Sequence, residues 1–570
     1  MARTYKYHVP DAYRGNGGRR PETKRATCST DPMLDLTHPY FRAAIADFKR
    51  FEGIEKDKPL TRRQAKLFEY RVLTGRIRVA LPKRELEEAE ALLAAGEGYD
   101  ALLKAAVLLD GLEYKLVPSF AVQDRAAWVA FPGRTAADVR KTAAYAESLG
   151  LNTLIVSPFE SGYALYDTCL PHLEKHPELA EDTDILQCYV DECRARGIRL
   201  YFMYCCFGTQ EPSDAYSADH YVNFFADKLL LNKQGGSVAT YYEDSSYSLN
   251  PFDAEVRAWT KDLLAEVAAR YDVDGIQLDY IRFPLPNSWG ENYNDHGYNE
   301  DMIRAFMEQA QTDVNPKDMR TTDPLWESWC AFRRDVITSF VREVSELLRD
   351  TDLIFSCTCF ADYNDRQMYV YQDVEKWAGE GLIDELYPMI YAATAEEHIE
   401  RADEIAAGIG ESCRLVLGLG TYDGQTPEIV AEQAVYNRTA GGNGNSIFAL
   451  PYTQVFGFDR LYAEGLYRTP AVHTDDCGAA MPAFLAELCE TIDSTYLYLC
   501  PDCGAERIRE KIAAAADELA GLGGAADDES RLAYWQQAAQ TMHSLREALD
   551  DAGVEARVQA DLLDRMAYIE

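Results

Sequence analysis

The 570-residue sequence contains no run of about eighteen apolar residues, so no membrane-spanning helix is expected. Its first residues, MARTYKYHVPDAYRGNGGRRPETKR, have neither an apolar core nor a small-residue cleavage site, so no secretory leader is expected. Basic residues are few: 57 Lys and Arg stand against 94 Asp and Glu, a net charge of −37. That argues against nucleic acid or an anionic membrane surface as the main partner. No glycine-rich loop of the GxGxxG or GxxxxGK type follows the first apolar run, which weakens an open nucleotide-binding sheet. No HxH pair or His-rich strand end is present, which counts against a metal-dependent hydrolase, and neither a metal nor a cofactor is expected in the catalytic centre. Fourteen cysteines occur without a leader, several in apolar runs (Cys205, Cys206, Cys357, Cys359). They read as reduced buried thiols in a cytoplasmic chain.

Charge is unevenly spread. Residues 1–120 are mildly basic (net +5), residues 121–470 strongly acidic (net −29), and residues 471–570 acidic (net −13). Three parts follow from this and from the apolar patterning. Residues 1–120 form an extended arm and a mostly helical segment, since LPKRELEEAEALLAAG and YDALLKAAVLLDGL carry helical spacing and end at glycine. Residues 121–470 form the main domain, and 471–570 a helical region. The apolar stripes of that last region need a partner, either the main domain or a second copy of the chain.

Within the main domain, eight apolar runs alternate with amphipathic stretches: 126–133, 152–159, 198–207, 273–281, 352–360, 384–392, 414–422 and 445–452. Runs apolar on both faces belong in a parallel sheet covered on both sides. The stretches between them carry helix punctuation: Thr135 and Asp138 as a capping box, Gly197 as a stop, Thr426-Pro427 as a start. Eight βα units in about 330 residues predict a (β/α)8 barrel. The stretches 208–250 and 284–325 then leave strand ends on the active face. They are rich in tyrosine (Tyr216, Tyr221, Tyr241, Tyr242, Tyr293, Tyr298) and include Trp289 in a projecting Pro-Asn-Ser-Trp-Gly turn. Aromatic, hydroxyl-rich rims suit sugar rings, and Trp289 is the candidate platform; surface-loop packing is the rival explanation.

The sharpest chemical feature is VDGIQLDYIRFP, residues 273–284. A carboxylate ending an apolar run is costly unless paired or used, and Asp279 ends the fourth strand on the active face. Arg282, three residues on, is a candidate partner that keeps it ionised. This segment, with LNPFDAEVRAW before it and EKWAGEGLIDELYPMIYA, LVLGLGTYDG and GNSIFALPY after it in order, resembles the family-10-like glycosyl hydrolases of bacteria. The resemblance covers about 126–460 and implies a barrel that hydrolyses glycosidic bonds, though it implies no substrate; an oligo- or polysaccharide is the expected one.

Such hydrolysis needs two carboxyl groups. By position, Glu160 after the second run and Asp362 after the fifth are candidates to join Asp279, with the loop acids Asp214, Glu243 and Asp244 or a substrate-assisted route as alternatives. Asp384 and Glu385 begin the sixth run, on the stability face. Arg282, Tyr166, Tyr204, Gln277, Trp289, Tyr391, Tyr422 and Tyr452 are candidates to line the substrate pocket. Cys477, Cys489, Cys500 and Cys503, with His473, raise the question of structural zinc against free thiols. The rival function is a catalytically inactive barrel that binds glycan or protein. A second carboxylate across a cleft from Asp279 separates the two readings.

Overall fold

Strands apolar on both faces are stable only when covered on both sides, and here they close on themselves. The computed structural model describes residues 117–570 except 242–243, 289–292, 423, 477, 498–501, 523–527 and 568–570, with 91, 94 and 114 described singly. The arm and helices expected over 1–120 thus lie almost wholly outside the described residues. The barrel strands are β1 (Asp124–Val129), β2 (Thr153–Val156), β3 (Arg199–Cys205), β4 (Gly275–Asp279), β5 (Ile354–Phe360), β6 (Glu385–Met389), β7 (Arg414–Gly420) and β8 (Gly444–Phe448). Each pairs in parallel with its neighbours in sequence, and β8 closes on β1 with Gly444 beside Asp124. This is the (β/α)8 barrel that the eight runs predict.

The helices start and stop on the expected signals. In α1 (Ala136–Ser148) the Thr135 side chain and Asp138 cap each other's backbone reciprocally. Helix α2 (Ile185–Arg196) ends at Gly197, whose φ of 66° lies in the left-handed region that glycine reaches without strain. Helices α3 (Ala254–Arg270), α4 (Trp326–Leu348), α5 (Val374–Gly379), α6 (Ala395–Ile409) and α7 (Pro427–Thr439) complete the ring.

The two-residue strand period sorts side chains between two cores. Leu200, Phe202, Ile276 and Leu278 point outward and pack under the helices. Ala126, Trp128, Ile155, Tyr201, Tyr387 and Val416 point inward and fill the barrel. Each fully buried Leu, Ile or Phe contributes roughly 1.5–3 kcal/mol before the entropy of ordering it is subtracted.

Below this filling, the N-terminal end of the barrel is polar and closed by the chain that follows β8. Glu385 pairs with Arg414 at 2.5 Å, and Asp475 pairs with Arg199 at 2.8 Å and also with Arg414. His473 and Thr474 contact Asp124 at 2.8 and 2.6 Å. Beyond it, α8 (Ala480–Thr491), α9 (Ala505–Gly521), α10 (Asp528–Asp551) and α11 (Ala556–Ala567) enclose a separate core around Phe484, Leu488, Ile512, Met542 and Leu562. Glu487 of α8 accepts the backbone N–H of Ala121 at 2.7 Å, tying that bundle to the barrel. No helix among the described residues is long and apolar enough to cross a membrane.

Candidate active site

Strand alternation puts Gln277 and Asp279 on the inner face of β4, because Ile276 and Leu278 face the helices. Gln277 is fully buried; it accepts from Trp128 Nε1 at 2.8 Å and donates to Ser356 Oγ at 3.3 Å. It is therefore the floor beneath Asp279 and not a wall of the pocket, a correction to its expected role. One pleat higher, Asp279 is half-buried, with Cys205 of β3 as its neighbour in register. Its Oδ1 accepts from Thr358 Oγ1 of β5 at 2.6 Å and from the backbone N–H of Tyr280 at 2.7 Å. These two donors fix the carboxylate, and Oδ2 has no protein hydrogen bond among the described residues.

The chain turns sharply just past the carboxylate. Tyr280 has φ 49°, a left-handed conformation that a bulky residue adopts only under constraint and that concentrates at functional sites. Its ring is 44% exposed. Arg282 makes no ion pair with Asp279 among the described residues, contrary to the expected pairing. Its guanidinium sits instead over the rings of Tyr280 (4.3 Å) and Phe360 (4.6 Å), leaving Nη1 buried and without a partner. Tyr391 follows β6, close enough that Asp279, Tyr422, Arg282 and Tyr280 all act on its hydroxyl. Burial first, and then the Asp279 charge, push that hydroxyl well above the usual tyrosine range, so it stays protonated. Tyr422 lies 6.3 Å from Tyr391, ring to ring. Gly420 makes room for it, since a Cβ there would lie 2.8 Å from the Tyr422 ring. The thiols of Cys205, Cys206 and Cys357 are raised by burial and further by Asp279, so none is poised as a nucleophile.

Asp279, Arg282, Tyr391 and Tyr422 thus lie together at the barrel mouth, whereas Tyr204 and Tyr166 do not. Tyr204 is on the outer face of β3, against Phe159. Tyr166 is fully buried between Phe159 and Tyr271. Both belong to the layer between barrel and helices: successive residues of β3 face opposite sides, and Tyr166 packs into that layer from the loop past β2. The loop tyrosines also pack inward: Tyr221 stacks on Trp259 at 5.0 Å, Tyr293 meets Trp326, and Tyr298 donates to the buried Asp295 at 2.8 Å. Trp289, Tyr242, Glu243 and the side chains of Tyr241 and Asp244 lie outside the described residues.

The other acids differ in state. Glu160, in a hairpin past β2, takes a bidentate grip from Arg134, at 3.0 and 2.7 Å. That hydrogen bonding holds its carboxyl below the usual range, which suits a lasting anion and not a proton donor. Asp362, past β5, accepts from the backbone of Asn364 (2.9 Å) and Asp365 (3.1 Å), capping the turn it starts. Asp365 was not singled out by sequence. Burial and the nearby Asp362 charge raise it to about 6, against the pull of Arg401. Its signal was the acid pair three apart in ADYND, since like charges held together keep one proton.

At the opposite end of the barrel, Asp124, His473 and Asp475 are the group among the described residues whose ligand atoms lie close enough to hold a metal ion. Arg199 and Arg414 already engage Asp475, so the cluster reads as the latch of the barrel floor. Cys477 and Cys500 lie outside the described residues, while Cys489 and Cys503 are buried free thiols in the helical core.

A parallel eight-stranded barrel with an inward carboxylate and aromatic residues at its C-terminal mouth is a (β/α)8 scaffold with its candidate site at the usual end. The chain belongs to the glycosyl hydrolase-like 10 family, which it matches over residues 121–437. It is similar to an S-layer-related protein of Niallia circulans, with 26% identity over 187 residues; the match covers 30% of this chain and 11% of that protein. The chain thus spans about a tenth of the curated relative it matches. Among solved structures it is similar to the PgaB (BpsB) glycoside hydrolase domain from Bordetella bronchiseptica, with 12% identity, a TM-score of 0.44, and coverage of 60% of this chain and 99% of that one. It is also similar to the catalytic domain of β-amylase from Paenibacillus polymyxa, with 10% identity, a TM-score of 0.45, and coverage of 61% and 99%.

Proposed function

We propose that the chain hydrolyses glycosidic bonds, with Asp279 as the carboxylate that acts on the reacting sugar or on its attacking water. The observation that carries this reading is the Asp279 carboxylate itself. It faces inward at the end of β4, is oriented by Thr358, and is ringed by Tyr280, Arg282, Tyr391 and Tyr422. Hydrolysis also needs a group that delivers a proton to the leaving oxygen. The proton donor is sought among the carboxyls that follow β2 and β5: Glu160, Asp362 and Asp365, the last raised to about 6 by burial and the Asp362 charge. Glu160 and Asp362, the sequence-based candidates, are engaged as an ion-pair partner and a turn cap.

The experiment is a screen of aryl glycosides and glycan oligomers against the full chain and its Asp279→Asn form. Turnover by the parent, lowered by two orders of magnitude or more in a folded Asp279→Asn protein, supports the reading. Near-equal turnover by both proteins sinks it. Glycan binding without turnover by the parent leaves the inactive binding module.

A further inference from the structure

Strands β4 and β5 stop pairing before they reach their active ends: the last residues in register are Leu278 and Cys357. Strand β5 stays paired with β6 as far as Phe360. Past Cys357, backbone groups of β5 bond to one side chain, the fully buried amide of Gln372. Its Oε1 accepts the Phe360 N–H at 3.0 Å. Its Nε2 donates to the carbonyls of Thr358 at 3.1 Å and Ile281 at 3.4 Å. A primary amide offers an acceptor and two donors, and here the oxygen meets an N–H and the nitrogen meets two carbonyls. Each partner bears on Asp279. Thr358 donates to Asp279 Oδ1 from its hydroxyl, and Ile281 lies in the turn whose Tyr280 N–H donates to the same oxygen. The Phe360 ring lies under the Arg282 guanidinium.

Gln372 is itself fixed from behind. Its backbone N–H donates to the Arg366 carbonyl at 2.7 Å, and the fully buried Arg366 side chain donates to the Ala361 carbonyl at 2.8 Å. Tyr371, just before Gln372, is fully buried with φ 60°. Its hydroxyl donates to Asp295 at 2.7 Å, and Arg333 of α4 lies 4.0 Å over its ring. Val370 accepts the Phe283 N–H at 3.0 Å. The left-handed Tyr280 is thus followed by two residues, Ile281 and Phe283, tied to the segment 370–372. Bulky residues keep such a conformation only where their surroundings over-determine it. Buried amides are satisfied almost everywhere in folded proteins, so bonding alone marks no role. The role follows from where these bonds fall: on the two segments that supply both donors to Asp279.

We propose that Gln372 is a positioning residue for the hydrolytic step. Its amide clamps Thr358 to the turn at Tyr280 and Ile281, and so sets the direction of the Asp279 carboxylate without touching it. The inference rests on the assignment of Asp279 above and deepens it, by naming the group that keeps the carboxylate aimed where the sheet no longer does.

The test compares Gln372→Met, Thr358→Val and the double variant, all in the full chain, on the glycoside found in the screen. Gln372→Met should lower kcat by roughly ten- to a hundredfold with KM little changed, since a small misplacement of a reacting group costs about that much. The loss should be smaller in the Thr358→Val background, because both substitutions act on one hydrogen bond. Crystal structures of the parent and of Gln372→Met give a readout that needs no turnover. The 2.6 Å contact between Thr358 and Asp279 should open beyond hydrogen-bond reach in the variant. If Gln372→Met melts early, Gln372→Glu keeps the shape and the acceptor. Its protonated form can donate one bond and its ionised form none, so its kcat deficit relative to the parent should shrink as pH falls. A retained contact, an unchanged kcat, a rise in KM alone, or losses that simply add overturn the clamp. A parent without turnover removes the hydrolase and leaves the clamp to the crystal comparison, whereas turnover with a retained contact does the reverse.

Discussion

The Thr358 hydroxyl donates a 2.6 Å hydrogen bond across from β5 to Oδ1 of Asp279 on β4. A hydrogen bond to a charged group contributes about 1.5–3 kcal/mol. Thr358→Val keeps the shape and removes the donor. It should lower kcat on the oligomer found in the screen by roughly ten- to a hundredfold, with little change in KM, if the orientation of Asp279 matters to the chemical step. An unchanged kcat would show that Tyr280 N–H alone positions the carboxylate.

Asp365 yields a pH prediction whose sign can be worked out. Its carboxyl is raised from 3.8 to about 6 in the fold. Between those values the native state binds a proton that the unfolded chain has released, so stability is full below about pH 4 and is lost as pH rises through about 6. Asp365→Asn should therefore raise the unfolding free energy at pH 7, by an amount on the order of 1–3 kcal/mol, and change little at pH 4. The same variant should abolish the alkaline limb of the kcat profile near pH 6 if Asp365 is the acid.

Glu160 and Arg134 form a partly exposed pair, at 42% and 35% side-chain exposure, and such pairs contribute at most about 1 kcal/mol. Glu160→Gln is expected to leave kcat within a few-fold of the parent. A fall of several orders of magnitude in steady-state assays would assign the acid role to Glu160 instead.

Arg414 holds the buried Glu385 at 2.5 Å and also pairs with Asp475. Its removal strands a carboxylate in the barrel floor, whose proton affinity is already raised by burial. Arg414→Met should cost about 3–5 kcal/mol in urea unfolding. Adding Glu385→Met should recover part of that loss, since an apolar pair leaves no charge uncompensated.

The latch of residues 473–475 makes truncation position-sensitive. A chain ending at 470 loses His473 and Thr474 from Asp124 and Asp475 from Arg199 and Arg414, whereas one ending at 478 keeps them. The longer chain should melt at the higher temperature. Equal melting would mean that the latch adds nothing to the barrel.

The barrel was legible because its signals are local. Both-face apolar runs, a capping box at Thr135 and stops such as Gly197 repeat at the size of a βα unit, and each works within a few residues. Asp279 was legible for the same reason: a carboxylate closing an apolar strand is unusual in any sequence. The pocket walls were not. Tyr204 is one residue from Cys205, which adjoins Asp279 across the strands, yet it faces the helices. That one-residue difference of side depends on where the strand begins, and no local signal marked it.

The sequence by itself determined the fold class, the order of the strands and the position of Asp279 at the end of β4, because periodicity and strand-end position are properties of short segments. Tertiary structure alone decided the company each acid keeps. Arg134 lies 26 residues from Glu160 and holds it as an anion, Thr358 lies 79 residues from Asp279 and orients it, and Arg282, three residues from Asp279, turns away to the rings of Tyr280 and Phe360. Proton affinity and orientation depend on distances across space, and those exist only once the barrel has closed.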